Sequence, residues 1–253
     1  MLIKLMKWLL IVASISHAAI TWADKLADIK QRAEQGDVAA QNDLGTAYVS
    51  GNEAIKDYDQ AHKWFQTAAE KGNPLAEYNL GIMYAHGEGM PIDLGEAAKW
   101  FLKAAKQGDI PAQFNLGLMY VQGDGMPRDY QEAYQWFSKA AKQGHPAAQV
   151  NLGLMYVRGE GVTKNMDEAA NWFKLSAKKG NSAAQYNLGV CYLKGEGVLS
   201  DTQEAYTWLA LATAQGDTQA RELLDKLETE LTPAQIAEAQ KRSADLNSTM
   251  TEH

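Results

Sequence analysis

Six glycines, Gly36, Gly72, Gly108, Gly144, Gly180 and Gly216, stand at a constant spacing of 36 residues. Tyr48, Tyr84, Tyr120, Tyr156 and Tyr192 keep the same step. So do Trp64, Trp100, Trp136, Trp172 and Trp208, and the Leu-Gly pairs that begin at Leu44, Leu80, Leu116, Leu152 and Leu188. Residues 36–215 align on themselves without a gap, as five units: 36–71, 72–107, 108–143, 144–179 and 180–215. A fixed period of this length restricts the chain to a stack of like elements. One such element cannot cover its own apolar face, and neighbouring copies can.

With the leading glycine of a unit as position 1, each unit reads as two helices. In the first, positions 5, 9, 10, 12 and 13 carry small or apolar residues, as in Ala76, Leu80, Gly81, Met83 and Tyr84. At about 100° per residue these share one arc. The second places Ala97, Trp100, Phe101, Ala104 and Ala105 at positions 26, 29, 30, 33 and 34, the i, i+3, i+4, i+7, i+8 stripe of an amphipathic helix. The alanines permit close helix approach, and the aromatics fill the remaining volume.

Between the helices lies a turn such as "GEGMPID" at 87–93. Asp93 followed by Glu96 marks a capping box, in which the N-cap side chain accepts from an early helix N–H and the third residue reaches back. Asp129 with Glu132, Asn165 with Glu168 and Asp201 with Glu204 repeat it, and Asp57 with Gln60 is a weaker first copy. The Gly-x-Gly supplies positive-φ positions for the reversal. As a phosphate cradle it fails: it follows a helix, lacks a Lys-Ser/Thr ending, and holds Glu88, Asp124, Glu160 or Glu196 between its glycines. The first unit departs, with Glu53 where the second turn glycine belongs.

Residues 24–35 read as an N-terminal helix covering the first unit. Residues 216–246 hold a divergent sixth unit, which keeps Gly216 and Ala220, and a closing helix with Thr232 as N-cap, Pro233 at N1 and Gln235 at N3. Residues 247–253 read as a frayed tail. At the other end, Lys4 and Lys7 precede an apolar run from Trp8 to Ser16 and then small residues. That is the pattern of a secretory signal peptide over 1–23, cleaved after Ala23 with Ala18 as the alternative. The run is short against the roughly 20 residues of a membrane span; the competing reading is an uncleaved anchor. The expected location is the periplasm.

Loss of Lys4 and Lys7 moves the formal charge from -7 to -9. So acidic a chain repels phosphate backbones, which argues against nucleic acid as a partner. Cys191 is the single cysteine, so no internal disulfide forms; its position 12 makes it a core filler. His62, His86 and His145 occupy three different positions of the unit, and no His-Glu-x-x-His, Cys pair or Gly-x-Ser-x-Gly occurs. No catalytic residue, metal site or cofactor is expected.

The remaining feature is a surface. Positions 4, 7, 8, 11, 14 and 15 of the first helix span an arc opposite the core stripe. Position 7 carries Asn42, Tyr78, Phe114, Val150 and Tyr186; position 8 carries Asp43, Asn79, Asn115, Asn151 and Asn187; position 15 carries Ser50, His86, Gln122, Arg158 and Lys194. An aromatic row beside a row that turns from neutral to basic suits a partly apolar, acidic partner segment. The alternative is that the aromatics buttress adjacent repeats.

"AEYNLGIMYAHGEGMPIDLGEAAKWFLKAAKQG" resembles the Sel-1-like repeat, a relative of the tetratricopeptide repeat. The resemblance implies an all-α, right-handed α-solenoid of stacked antiparallel helix pairs. It further implies that the free arc lines a concave groove holding extended peptides or partner helices, with the Asn column bonding the ligand backbone. Against that stands a structural role for the same column, each Asn bonding a neighbouring repeat's loop. Relatives are adaptors, envelope regulators, host-factor binders and periplasmic immunity proteins against secreted, type VI phospholipase toxins. The expected function is therefore an exported, non-enzymatic protein–protein interaction scaffold. The rival is a β-lactamase-like or peptidoglycan-related hydrolase, as described for cysteine-rich relatives, whose disulfide in each repeat is lacking here.

Overall fold

A computed structural model describes residues 24–51 and 56–251. The signal-peptide reading of 1–23 and the Glu53 turn position lie outside the described residues. Among these, helices are present and strands are not. Helix α1 covers residues 24–34. Five pairs follow: α2 (Val38–Ser50) with α3 (Tyr58–Glu70), α4 (Pro74–His86) with α5 (Leu94–Lys106), α6 (Ile110–Gln122) with α7 (Tyr130–Lys142), α8 (Pro146–Arg158) with α9 (Met166–Ala177), and α10 (Ser182–Lys194) with α11 (Thr202–Ala214). Then come α12 (Thr218–Glu230) and α13 (Pro233–Thr251). The chain forms two compact units, one up to Asp109 with α1 to α5 and one from Ile110 with α6 to α13.

Each pair packs along the two arcs of its sequence. Ala76, Leu80 and Met83 of α4, and Ala97, Phe101, Ala104 and Ala105 of α5, are buried, as are their counterparts in the other pairs except Ala47 and Thr213, which are half-buried. Cys191 is buried in the same way, and burial pushes its thiol up to about 11. This is a core thiol and a poor nucleophile.

The second helices start as expected on one side of the capping box. The Asp93 side chain accepts from Glu96 N at 2.9 Å, and Asn165 accepts from Glu168 N at 3.1 Å. The return half differs. In every repeat the N-cap N–H donates instead to the carbonyl of the position-13 tyrosine, as in Asp93 N to Tyr84 O at 2.9 Å and Asn165 N to Tyr156 O at 3.0 Å. The turn lays the cap beside the last carbonyls of the first helix, so that donor is already satisfied and the N3 carboxylate is released. Glu132 accepts from the Trp136 indole N–H at 3.2 Å, and Glu204 pairs with Arg242 at 2.5 Å. Among the described residues only Thr232 and Gln235 close a two-way box, with Thr232 N donating to Gln235 Oε1 at 3.0 Å.

The turn glycines have two separate jobs. Gly159 caps α8 at φ 72°, its N–H bonding Met155 O at 2.8 Å. Gly161, at φ 69°, is also a contact between repeats: a Cβ there would stand 2.0 Å from the carbonyl oxygen of Tyr130, the first residue of α7.

A polar ladder ties repeats together at position 6. Gln149 and Gln185 donate to Ala141 O and Ala177 O of the preceding repeat, at 3.1 and 3.3 Å. Within the third and fifth repeats the position-36 side chain meets the same group: Gln143 donates to Gln113 at 2.8 Å and Gln215 to Gln185 at 2.8 Å. In the second repeat the rung is Glu77, 4% exposed, which accepts from Gln107 at 2.7 Å. Burial raises its pKa above the ordinary carboxylate value, and the Gln107 bond and Lys103 only partly oppose this. Because the folded pKa is raised, the stability tied to the protonated form is present below the unfolded value and lost as pH rises through the folded one. Glu77→Gln removes that loss and restores an amide donor facing the preceding repeat. It is expected to stabilise the protein by about 1 kcal/mol at pH 7. The gain should shrink as pH falls towards 4, which thermal unfolding at the two pH values measures.

The closing helix does not pair with α12 as a sixth repeat would. It packs along α11, where Gln240 donates to Tyr206 OH at 3.2 Å and Thr207 lies beneath Ala239. It also passes the expected end at Leu246 and continues to Thr251, because Leu246 and Met250 pack against the cluster containing Leu188 and Trp208. The frayed tail expected from 247 is thus helical up to Thr251.

Candidate interaction surface

The free arc of the first helices is not uniform. At position 15, His86, Gln122, Arg158 and Lys194 are all exposed. Arg158 reaches Glu160 of the adjoining turn at 3.7 Å, so the basic row borders an acidic one. At position 7 the side chains sit deeper. Tyr78, Phe114 and Tyr186 are half-buried, while Val150 is buried at 7% exposure and Asn42 at 6%.

Packing accounts for that depth. The Tyr78 ring leans on Phe101 with centroids 5.7 Å apart, and Phe114 on Phe137 at 5.8 Å. Phe114 is also stacked on His145 at 4.6 Å. His145 serves as N-cap of α8, its Nδ1 accepting from Ala148 N at 3.1 Å, and burial and Lys179 lower its pKa. The acceptor role requires the neutral ring, so Phe114 rests on a neutral imidazole. These aromatics therefore brace the helix pair with one side and leave the other exposed.

The Asn column behaves differently again. Asn151 and Asn187 donate to Ala147 O and Ala183 O of their own helices at 2.9 and 2.7 Å, and Asn79 donates to the Asn42 side chain of the preceding repeat at 3.0 Å. Asn115 is half-buried beside Phe114. In these bonds each carboxamide spends one of its two N–H groups.

Two further rows of the arc, at positions whose residues the sequence reading did not single out, complete the surface. Leu118 and Val121 of α6, Leu154 and Val157 of α8, and Val190 and Leu193 of α10 occupy positions 11 and 14, and all are half-buried. Leu154 and Val157 pack against a core cluster shared by the fourth and fifth repeats and stay half-buried. Their place on the arc followed from the helical period, but their depth depends on where the neighbouring helix lies. Across α6, α8 and α10 the result is an apolar strip with a polar border at Gln122, Arg158 and Lys194. Such a strip holds an apolar segment by area and orients it by charge.

Five Sel1 repeats match the family model, at residues 38–73, 74–109, 110–145, 146–181 and 182–217. The chain belongs to the Sel1 repeat family. Its stacked helix pairs are the solenoid arrangement of that family, a scaffold for protein–protein interaction. A crystal structure of a protective antigen present in uropathogenic Escherichia coli strains, displaying an SLR fold, is similar over 86% of this chain and 48% of that one, with 38% identity and a TM-score of 0.78. A Sel1 repeat protein from Oxalobacter formigenes is similar over 81% of this chain and 84% of that one, with 33% identity and a TM-score of 0.70. The secretory immunoglobulin A-binding protein EsiB of Escherichia coli O6:H1 (strain CFT073) is 49% identical over 43 residues, 17% of this chain and 9% of that protein. This chain therefore spans about half of the first structure and a small part of the curated relative.

Proposed function

We propose that this Sel1 repeat protein is an exported, non-enzymatic scaffold that grips a partly apolar, acidic segment of a partner protein along the free arc of α6, α8 and α10. The observation that carries the reading is the half-buried strip from Phe114 to Leu193 with its exposed border of Gln122, Arg158 and Lys194. Tyr186, Asn151 and Asn187 flank the strip, and in the unit up to Asp109 the corresponding surface is formed by Tyr78, Asn79 and His86. Export is supported by Lys4 and Lys7 ahead of the short apolar run from Trp8 to Ser16. Neutralising a secreted toxin, as the resemblance implies, is one instance of this mode.

The test must spare the aromatics, whose rings also hold the fold. Arg158→Glu combined with Lys194→Glu alters only exposed side chains. Affinity for a partner purified on the parent protein should fall at least tenfold, about 1.4 kcal/mol, with an unchanged thermal midpoint. Undiminished affinity in that variant would remove the strip from the binding site.

A further inference from the structure

The second helices carry their own comparison between copies. Position 32 is Lys139 in α7, exposed, its ammonium 3.7 Å above the Trp136 ring. The same position is Leu211 in α11, only 5% exposed because α13 lies across it. Position 28 follows suit: Gln135 is exposed in α7, and Thr207 is fully buried beneath α13. An apolar residue at position 32 thus accompanies a covering helix, and a lysine accompanies open solvent.

Repeat four breaks this correspondence. Its position 32 is Leu175, which is 48% exposed, with no helix among the described residues across it. Lys178, the C-cap of α9 with αR backbone, lies three residues on and hence on the same face, Lys174 adjoins it, and Lys179 follows in the turn with its ammonium donating to Gly144 O at 2.6 Å. None of the three takes part in an ion pair among the described residues. In a chain of formal charge -7 this is a concentrated basic patch. Beside it, Lys178 and Lys179 line a cavity of about 580 Å³ whose far wall is Leu246, Thr249 and Met250 from the last turns of α13. The surface that α13 already occupies on α11 therefore continues onto α9 as an apolar side chain, a recess and the exposed lysines Lys174 and Lys178.

We propose that the outward face of α9, with the recess at the end of α13, receives an acidic amphipathic helix from a partner protein. Its apolar stripe covers Leu175 and fills the recess, as α13 covers Leu211, and its carboxylates meet Lys174 and Lys178. A helix is the occupant because the adjoining face of α11 already carries one, and an acidic one because the exposed charges here are cationic. This site is separate from the strip on the first helices and stands without it.

The experiment titrates a labelled 18-residue helical peptide of glutamate and leucine faces, and its lysine–leucine counterpart, against the full chain by fluorescence anisotropy. The acidic peptide should bind with an affinity that falls as salt is added, and the basic one should not bind. Leu175→Lys, which installs the residue that positions 103 and 139 already carry, should weaken the acidic peptide at least tenfold without shifting the thermal midpoint. Lys174→Glu with Lys178→Glu should do the same, and Arg158→Glu with Lys194→Glu should leave it within twofold. Absent binding, or equal binding by all variants, overturns the proposal, as does weakening confined to the Arg158 and Lys194 variant. Self-association in sedimentation that Leu175→Lys abolishes would assign the face to a second copy. Retention on phosphatidylglycerol vesicles that the lysine variants abolish would assign it to a lipid surface, and either result also overturns the proposal.

Discussion

Gly161→Ala is expected to destabilise the protein by about 4 kcal/mol, and Gly180→Ala by only about 1 kcal/mol, although both glycines have positive φ, 69° and 79°. The left-handed backbone costs an alanine roughly 1 to 2 kcal/mol in either place. The difference lies in what the new methyl meets. At Gly180 there is nothing within 4 Å. At Gly161 the methyl would stand 2.0 Å from Tyr130 O, 2.4 Å from its carbonyl carbon and 2.9 Å from Gln131 N. Those are main-chain atoms in the first turn of α7, fixed by the Asp129 cap, and they cannot rotate aside. The two repeats must separate locally, which adds an overpacking cost of about 1 to 3 kcal/mol. Urea unfolding of the two variants measures the difference, and a thermal midpoint lowered by about 10 °C should accompany Gly161→Ala. Equal losses would mean that the turn, and not the repeat contact, sets the need for glycine.

The 36-residue period, the helix pairs and most of the core arcs were legible in the spacing, because a period repeated without a gap leaves little freedom in register. What spacing did not reveal was competition between partners. Glu96 and Glu168 stand where a reciprocal box requires them, yet the Tyr84 and Tyr156 carbonyls already hold the cap N–H groups. That outcome depends on how the turn folds back, which no local pattern encodes. The position-6 ladder was visible as a column of Gln41, Glu77, Gln113, Gln149 and Gln185, but a column of amides means little until its partners eight residues back and thirty ahead are in place. The path of α13 left a signal as well: Thr207 replaces the longer Lys63, Lys99, Gln135 and Asn171, and Leu211 replaces the Thr67, Lys103 and Lys139 of the first three repeats.

For the candidate site, the sequence located the arc and missed its depth. Phe114 and Val150 share a position in the unit, yet Phe114 keeps a free edge while Val150 is buried. Helical periodicity gives an angle around one axis. The distance to the next repeat comes from side chains such as His145, against which Phe114 stacks. The exposed position-15 row was easier to read, since its side chains lie at the helix end, where no neighbour reaches over them.

The distance between the two helices of a repeat is itself set by one contact, and Gly153→Ala is expected to expose it. Alanine in a helix interior is favoured over glycine by about 1 kcal/mol, so a site with room would gain stability. Here the added methyl would stand 2.5 Å from Phe173 Cε1 and 2.9 Å from Cδ1. The Phe173 ring is 1% exposed and enclosed by Ala169, Ala177 and Leu188, so it has no vacant rotamer to enter. Overpacking should outweigh the propensity gain and leave a net loss of about 2 kcal/mol. Phe173→Ala alone should cost about 4 kcal/mol through the cavity it opens. In the double variant the alanine at 153 has space, so the loss should fall short of the sum of the two single losses by at least about 1 kcal/mol. Strict additivity in urea unfolding would show that glycine and ring do not press on each other. Gly45 with Phe65, Gly81 with Phe101 and Gly117 with Phe137 make the same contact, and Gly189 meets Leu209. A ring seated on a bare backbone thus fixes the helix separation in each of these pairs, and with it how far the position-7 side chains stand out from the second helix they brace.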